Sequence, residues 1–129
     1  MLTKKARLIV KIKDAIIGIV LDSGELPKVK FSCILSESLH YDYTYLANLF
    51  SETEGTSIEH YMLVYKIEKV KELLLCDDLS LTQIAKKLHY SSVAHLSNQF
   101  KKITGITPSF FKSINLKKLI TPRPLKITF

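Results

Sequence analysis

Ser80-Leu-Thr-Gln-Ile-Ala-Lys-Lys-Leu-His-Tyr-Ser-Ser-Val-Ala-His-Leu-Ser-Asn-Gln-Phe-Lys-Lys-Ile-Thr-Gly105 carries the punctuation of two short helices with a break between them. Ser80 and Gln83 have the spacing of a capping box, in which each side chain satisfies the other residue's free amide. Leu81, Ile84, Ala85 and Leu88 then follow the i, i+3, i+4, i+7 pattern of an amphipathic helix. His89-Tyr90 interrupts that period. Ser91 or Ser92 can cap a second helix that turns Leu96 and Phe100 inward, and Gly105 suits its C-terminal end. Two short helices joined by a three- to four-residue break make a helix-turn-helix.

The same plan occurs earlier in the chain. Leu39-His-Tyr-Asp-Tyr-Thr-Tyr-Leu-Ala-Asn-Leu-Phe50 returns as Leu88-His-Tyr-Ser-Ser-Val-Ala-His-Leu-Ser-Asn-Gln-Phe100, with one residue inserted. Further on, Phe50, Gly55, Ser57 and Tyr61 match Phe100, Gly105, Thr107 and Phe111, so one structural unit is used twice. Lys30–Leu39 followed by Asp42–Phe50 forms the earlier pair of helices, with Asp42 as the cap. Thr107-Pro108 opens another short helix, with proline at the permitted first position. Two long helices complete the chain. Lys4–Leu21 places Ile9, Ile12, Ile16 and Ile19 on one face, which is expected to pack on the first unit. Ser57–Leu75, opened by Thr56-Ser-Ile-Glu59, turns Ile58, Tyr61, Met62, Tyr65, Val70 and Leu74 inward. No stretch reads as a strand. The expected fold is all-α, with two helix-turn-helix subdomains joined by a long linker helix. The first subdomain covers residues 4–56, the joining helix 57–76, the second subdomain 77–114 and a basic tail 115–129.

Composition narrows the function classes. Apolar residues make up 47% of the 129, enough for a packed interior. The longest apolar run, Ala15–Leu21, is far shorter than the roughly 20 residues of a membrane span. The N-terminus lacks a signal-peptide cleavage pattern, so a cytoplasmic protein is expected. Cys33 and Cys76 lie in amphipathic stretches and read as buried thiols, not as a disulfide or a metal site. His40, His60, His89 and His95 show no metal-ligand spacing, and neither a phosphate-binding glycine loop nor a nucleophile motif is present. No catalysis, cofactor or metal is expected. The formal charge of +7 is unevenly spread. Lysines, arginine and acids balance over residues 1–55, whereas Lys86, Lys87, Lys101, Lys102, Lys112, Lys117, Lys118, Arg123 and Lys126 follow Leu79 without one Asp or Glu. Such a run fits a polyanion, or else a merely solvated face.

These residues resemble the AraC/XylS-type transcription regulators. Lys66-Ile-Glu-Lys-Val-Lys-Glu-Leu-Leu74 is similar to the family's linker helix, and Leu79-Ser-Leu-Thr-Gln-Ile-Ala85 to its second-unit opening. The signature after the second recognition helix is matched by Ser97, Phe100, Lys101, Lys102, Gly105 and Pro108. The resemblance covers about residues 4–114. It implies a monomeric module, associated with the bacterial nucleoid, that binds double-stranded DNA and acts in transcription initiation, often as an activator contacting RNA polymerase. Many members carry a sensing or dimerising domain ahead of this module; here Met1–Thr3 precede the first helix, and a stand-alone regulator and a shortened chain are both compatible with that. The chain departs from the family where His40 and His89 replace a usual turn glycine, and where Asn48 and Asn98 stand in place of a frequent arginine.

A recognition helix presents its N-terminal and outward residues to base edges. With Leu46 and Phe50 inward, Tyr43, Thr44, Ala47 and Asn48 are the DNA-facing candidates of the first unit. With Leu96 and Phe100 inward, Ala94, His95, Ser97 and Asn98 are those of the second, and Val93 fits either packing or base contact. Ser91, Ser92, Lys101 and Lys102 border that face. Asn suits the adenine edge and small apolar groups suit thymine methyls, so a site leaning towards A·T is expected, unless the Asn side chains bond phosphate only. Lys86, Lys87, Lys101 and Lys102 are read together as phosphate contacts. Positive charge favours the second unit for holding DNA. Small polar faces speak against the other reading, a protein-interaction module that has lost DNA binding.

Overall fold

The helix boundaries follow from local capping chemistry. Asp42 accepts a hydrogen bond from the Thr44 amide, and Ser92 one from the His95 amide. Ser80 and Gln83 complete the reciprocal box expected of them. The computed structural model describes residues 3–21, 30–76 and 79–120, with side chains as far as Asn115. In chain order the helices are α1 (Lys4–Leu21), α2 (Phe31–Leu39), α3 (Tyr43–Glu54), α4 (Ile58–Cys76), α5 (Leu81–Lys87), α6 (Val93–Thr104) and α7 (Pro108–Ile120). No strand occurs among the described residues, and the fold is all-α. Arg123 and Lys126 of the basic tail lie outside the described residues, and so do the Lys117 and Lys118 side chains. Residues 115–120 continue α7.

The chain divides into two units, residues 1–66 and 67–129, with the boundary inside α4. In the first, α1, α2 and α3 pack together around Leu8, Ile12, Ile16, Leu35, Leu46 and Phe50. In the second, α6 packs on α5 and α7, and Ile84, Ala85, Leu96 and Phe100 are buried. Full burial of each large apolar side chain contributes roughly 1.5–3 kcal/mol. The sequence repeat is also a packing repeat. Phe50 meets the Tyr61 ring edge-on at 5.4 Å, and Phe100 meets Phe111 in the same way at 5.6 Å.

Both turns adopt the left-handed backbone that family glycines would suit. His40 has φ 59° and His89 φ 62°, a region that charges most side chains about 1–2 kcal/mol. The histidines therefore preserve the turn and accept local strain, since His tolerates this region better than most residues. Gly55 and Gly105 end α3 and α6 at φ 75° and 85°, as expected of C-terminal glycines.

Three sequence expectations need correction. Cys33 and Cys76 are exposed, not buried. Cys33 lies two residues, about 200° of helix, from the inward Leu35, and Cys76 is the last residue of α4. In α1 the i, i+4 line Leu8, Ile12, Ile16 and Val20 is buried, together with Ile9, while Ile19 is half-exposed near the helix end. In α4 the buried residues are Ile58, Ile67, Val70 and Leu74, whereas Tyr61, Met62 and Tyr65 are only half-buried.

Gly18 lies inside α1 with open space around the position a Cβ would occupy. Gly18→Ala is therefore expected to raise stability by about 0.5–1 kcal/mol, through lower unfolded-chain entropy with no new clash. A urea midpoint that is unchanged or lower would contradict this.

Candidate nucleic-acid interface

On α6 the first two turns carry an outward face of small and polar groups. Ala94, His95 and Asn98 are exposed, and Val93 and Ser97 are half-buried. Leu96 and Phe100 anchor the opposite side in the core. Ser91 and Ser92 divide their work. The Ser92 hydroxyl caps the helix, while the Ser91 hydroxyl lies 3.1 Å from His95 Nδ1. Beneath His95, the buried Tyr90 ring stands edge-on at 5.1 Å, and burial pushes the Tyr90 phenol up to about 12. Tyr90 therefore remains a neutral support under the imidazole at physiological pH. Lys101 and Lys102 are exposed in the last turn of α6, where the helix macrodipole also favours cations. Lys86 and Lys87 occupy the same place on α5 and are exposed too.

On α3, Thr44 and Asn48 are exposed and Ala47 is half-buried. Tyr43 is placed differently from its neighbours. It is half-buried, donates its hydroxyl to Glu59 Oε2 at 2.7 Å and packs edge-on against Phe31. Desolvation, with that hydrogen bond second, pushes its phenol well above the ordinary tyrosine range. Tyr43 thus ties the start of α3 to the first turn of α4, and its phenol is already committed within the protein.

Tyr45 escaped sequence reasoning. It is 44% exposed in the first turn of α3, stacked on Tyr41 with ring centroids 5.3 Å apart. The repeat register contained the signal, because Tyr41 and Tyr45 correspond to Tyr90 and His95. Both α3 and α6 therefore open with an outward ring supported by an aromatic residue of the preceding turn. The charges differ between the helices. Where α6 has Lys101 and Lys102, α3 has Ser51 and Glu52.

One position on α6 is imperfectly solved. Gln99 Oε1 is buried and has no hydrogen-bond partner among the described residues. The equivalent position of α3 holds Leu49, buried against its core. Gln99→Leu is expected to stabilise the protein by about 1 kcal/mol, because an unmatched buried acceptor costs roughly 1–3 kcal/mol. Chemical denaturation checks this, and a loss of stability would show that Gln99 has a partner worth keeping.

Among the described residues, no group of three His, Cys, Asp or Glu is arranged to hold a metal ion. No described helix is long and apolar enough to cross a membrane.

Two helix pairs, each with an N-capped second helix that carries an exposed polar face, define a tandem helix-turn-helix module. The family model described as a helix-turn-helix domain matches residues 35–113, and the chain belongs to that AraC-type helix-turn-helix family. It is 32% identical over 78 residues to the HTH-type transcriptional regulator YtdP of Bacillus subtilis, a match covering 60% of this chain and 10% of YtdP. The chain spans 10% to 33% of the length of the first curated relatives it matches. Its fold is similar to the C-terminal domain of AraT, a response regulator from Geobacillus stearothermophilus, with a TM-score of 0.74 and 22% identity over 87% of this chain and 88% of that one. It is also similar to the DNA-binding domain of the global transcriptional factor AdpA, solved in complex with a target DNA. There the TM-score is 0.72 and the identity 12%, covering 88% of this chain and 97% of that one.

Proposed function

We propose that this chain is a sequence-specific, double-stranded DNA-binding module of a transcription regulator, reading base edges with α3 and α6. The observation that carries the reading is the outer face of α6. Ala94, His95 and Asn98 are exposed there, flanked by the exposed Lys101 and Lys102. No acid follows Leu79 to offset those cations. Base-edge readers set the sequence and lysines bind the backbone. The AdpA domain, solved on its target DNA, supports the reading at the level of fold. In the first unit Thr44, Ala47 and Asn48 take the reading role, and Tyr43 positions them. Ser91 and Ser92 hold the start of α6. The family resemblance extends the proposal to transcription initiation by a monomeric module, with activation through RNA polymerase.

We further propose that the two recognition helices enter adjacent major grooves of one asymmetric site. The 19 residues of α4 span about 28 Å, against about 34 Å between successive major grooves on one face of DNA. A rigid bridge of that length would require either bent DNA or engagement of only one unit. Footprinting on random genomic fragments at two salt concentrations tests both statements. Two protected stretches one helical turn apart, weakening steeply with salt, are expected. Absence of any salt-sensitive duplex binding would instead favour a protein-interaction module.

A further inference from the structure

Counted along the chain, the first unit is charge-balanced, but in space its charges are sorted. Lys4, Arg7 and Lys11 follow the i, i+3, i+7 spacing of one face of α1 and are all exposed. Together with Ser38, Leu39, His40 and Tyr41 they line a groove of about 460 Å³ between α1 and the end of α2. No acid lines it. Three of the unit's six described acids are engaged elsewhere: Glu54 pairs with Lys13 at 2.6 Å, Asp42 caps α3 and Glu59 accepts the Tyr43 hydroxyl. The other three, Asp14 one turn beyond Lys11, Glu37 next to Ser38, and Glu52 on α3, are exposed and outside the groove lining.

Protein structure alone does not account for these cations. Lys4 and Arg7 occupy the N-terminal end of α1, where the helix macrodipole favours acids and disfavours cations. The far wall is the C-terminal end of α2, whose dipole offers roughly half a negative charge against three positive ones. A phosphate in the groove would complement the three side chains and the α1 dipole at once, and the Arg7 guanidinium can bind two of its oxygens. The groove also adjoins the reading helix. Tyr41, which lines it, stacks on Tyr45 in the first turn of α3.

The geometry points to this groove as a second backbone-phosphate site, in which Lys4, Arg7 and Lys11 hold the DNA strand flanking the bases read by α3. The inference rests on the DNA-binding reading. It makes the first unit an electrostatic partner equal to the second.

The test compares the wild-type chain with a Lys4→Gln, Arg7→Gln, Lys11→Gln variant, on a selected duplex across a salt series. The control is Lys5→Gln, Lys30→Gln, which removes two exposed cations of the same unit that do not line the groove. The triple variant is expected to keep its helical circular dichroism and melting behaviour, because all three side chains are exposed. It is expected to bind more than tenfold more weakly at low salt, with the log–log salt slope reduced by about 2–3 at about 0.9 per lost phosphate contact. The control should leave that slope within about half a unit of wild type. An unchanged slope in the triple variant overturns the groove site and leaves the DNA-binding reading standing. An equal loss in the control also overturns it, since the charge would then act without the groove. A wild-type chain that binds no duplex overturns both.

Discussion

Phe100→Ala is expected to remove about 3–5 kcal/mol of stability, the range for deleting a fully buried aromatic ring. Phe100 is 0% exposed and meets Phe111 edge-on at 5.6 Å, so its ring joins α6 to α7. The loss combines the ring's transfer energy, the aromatic pair and a cavity that two short helices can refill only in part. Small domains are stable by roughly 5–15 kcal/mol in total, so this one side chain accounts for a large share. The consequence should be regional. Amides of α6 and α7 should lose hydrogen-exchange protection first, with the α1–α3 amides affected less. Phe50→Ala should produce the mirror image, because Phe50 pairs with Tyr61 in the first unit. A Phe100→Ala protein with its urea midpoint shifted by the equivalent of less than 1 kcal/mol would mean that the repeat's aromatic pairs are not its structural centre.

The repeat and its punctuation were legible because they depend on neighbours within one helical turn. Asp42, Ser80, Ser92, Gly55 and Gly105 take the capping places that their residue types and spacing require. The tertiary choices were less visible. Tyr43 stands at i, i+3, i+7 with the inward Leu46 and Phe50, at the edge of the buried face, but nothing in that spacing shows that its hydroxyl reaches Glu59, sixteen positions away in sequence. Periodicity reports a face but not what stands opposite it. The thiols differ, since Cys33 and Cys76 belong to amphipathic helices but stand two residues from the inward Leu35 and Leu74, a spacing that itself points outward. Charge counting has a different limit. A sum over residues 1–55 discards position, and position is what gathers Lys4, Arg7 and Lys11 along a groove whose lining holds no acid. Tyr45 lay within reach of the sequence, because the register that selected His95 points to it directly.

At Asn98 the candidate site meets its sharpest test. Asn98 is exposed on the outer face of α6, two residues before the inward Phe100, where the family often has arginine. An asparagine amide can make two hydrogen bonds to the adenine N6/N7 edge, and a pair of this kind discriminates by about 1–3 kcal/mol. Asn98→Ala is therefore expected to bind its preferred site roughly 5- to 150-fold more weakly. Its salt slope should match wild type, because no phosphate contact is lost. Asn98→Arg should move the preference at the facing base pair from A·T to G·C, since arginine pairs with the O6/N7 edge of guanine. Lys101→Gln with Lys102→Gln should do the reverse: affinity falls for all sequences alike, and the salt slope drops by about 1.8 for two phosphate contacts. Binding-site selection and a salt titration on each variant separate the two kinds of contact. If Asn98→Ala weakens every sequence equally and lowers the salt slope by about 0.9, Asn98 holds a phosphate. Sequence would then have to be read by Ala94, His95 and Ser97, the other outward groups on the first two turns of α6.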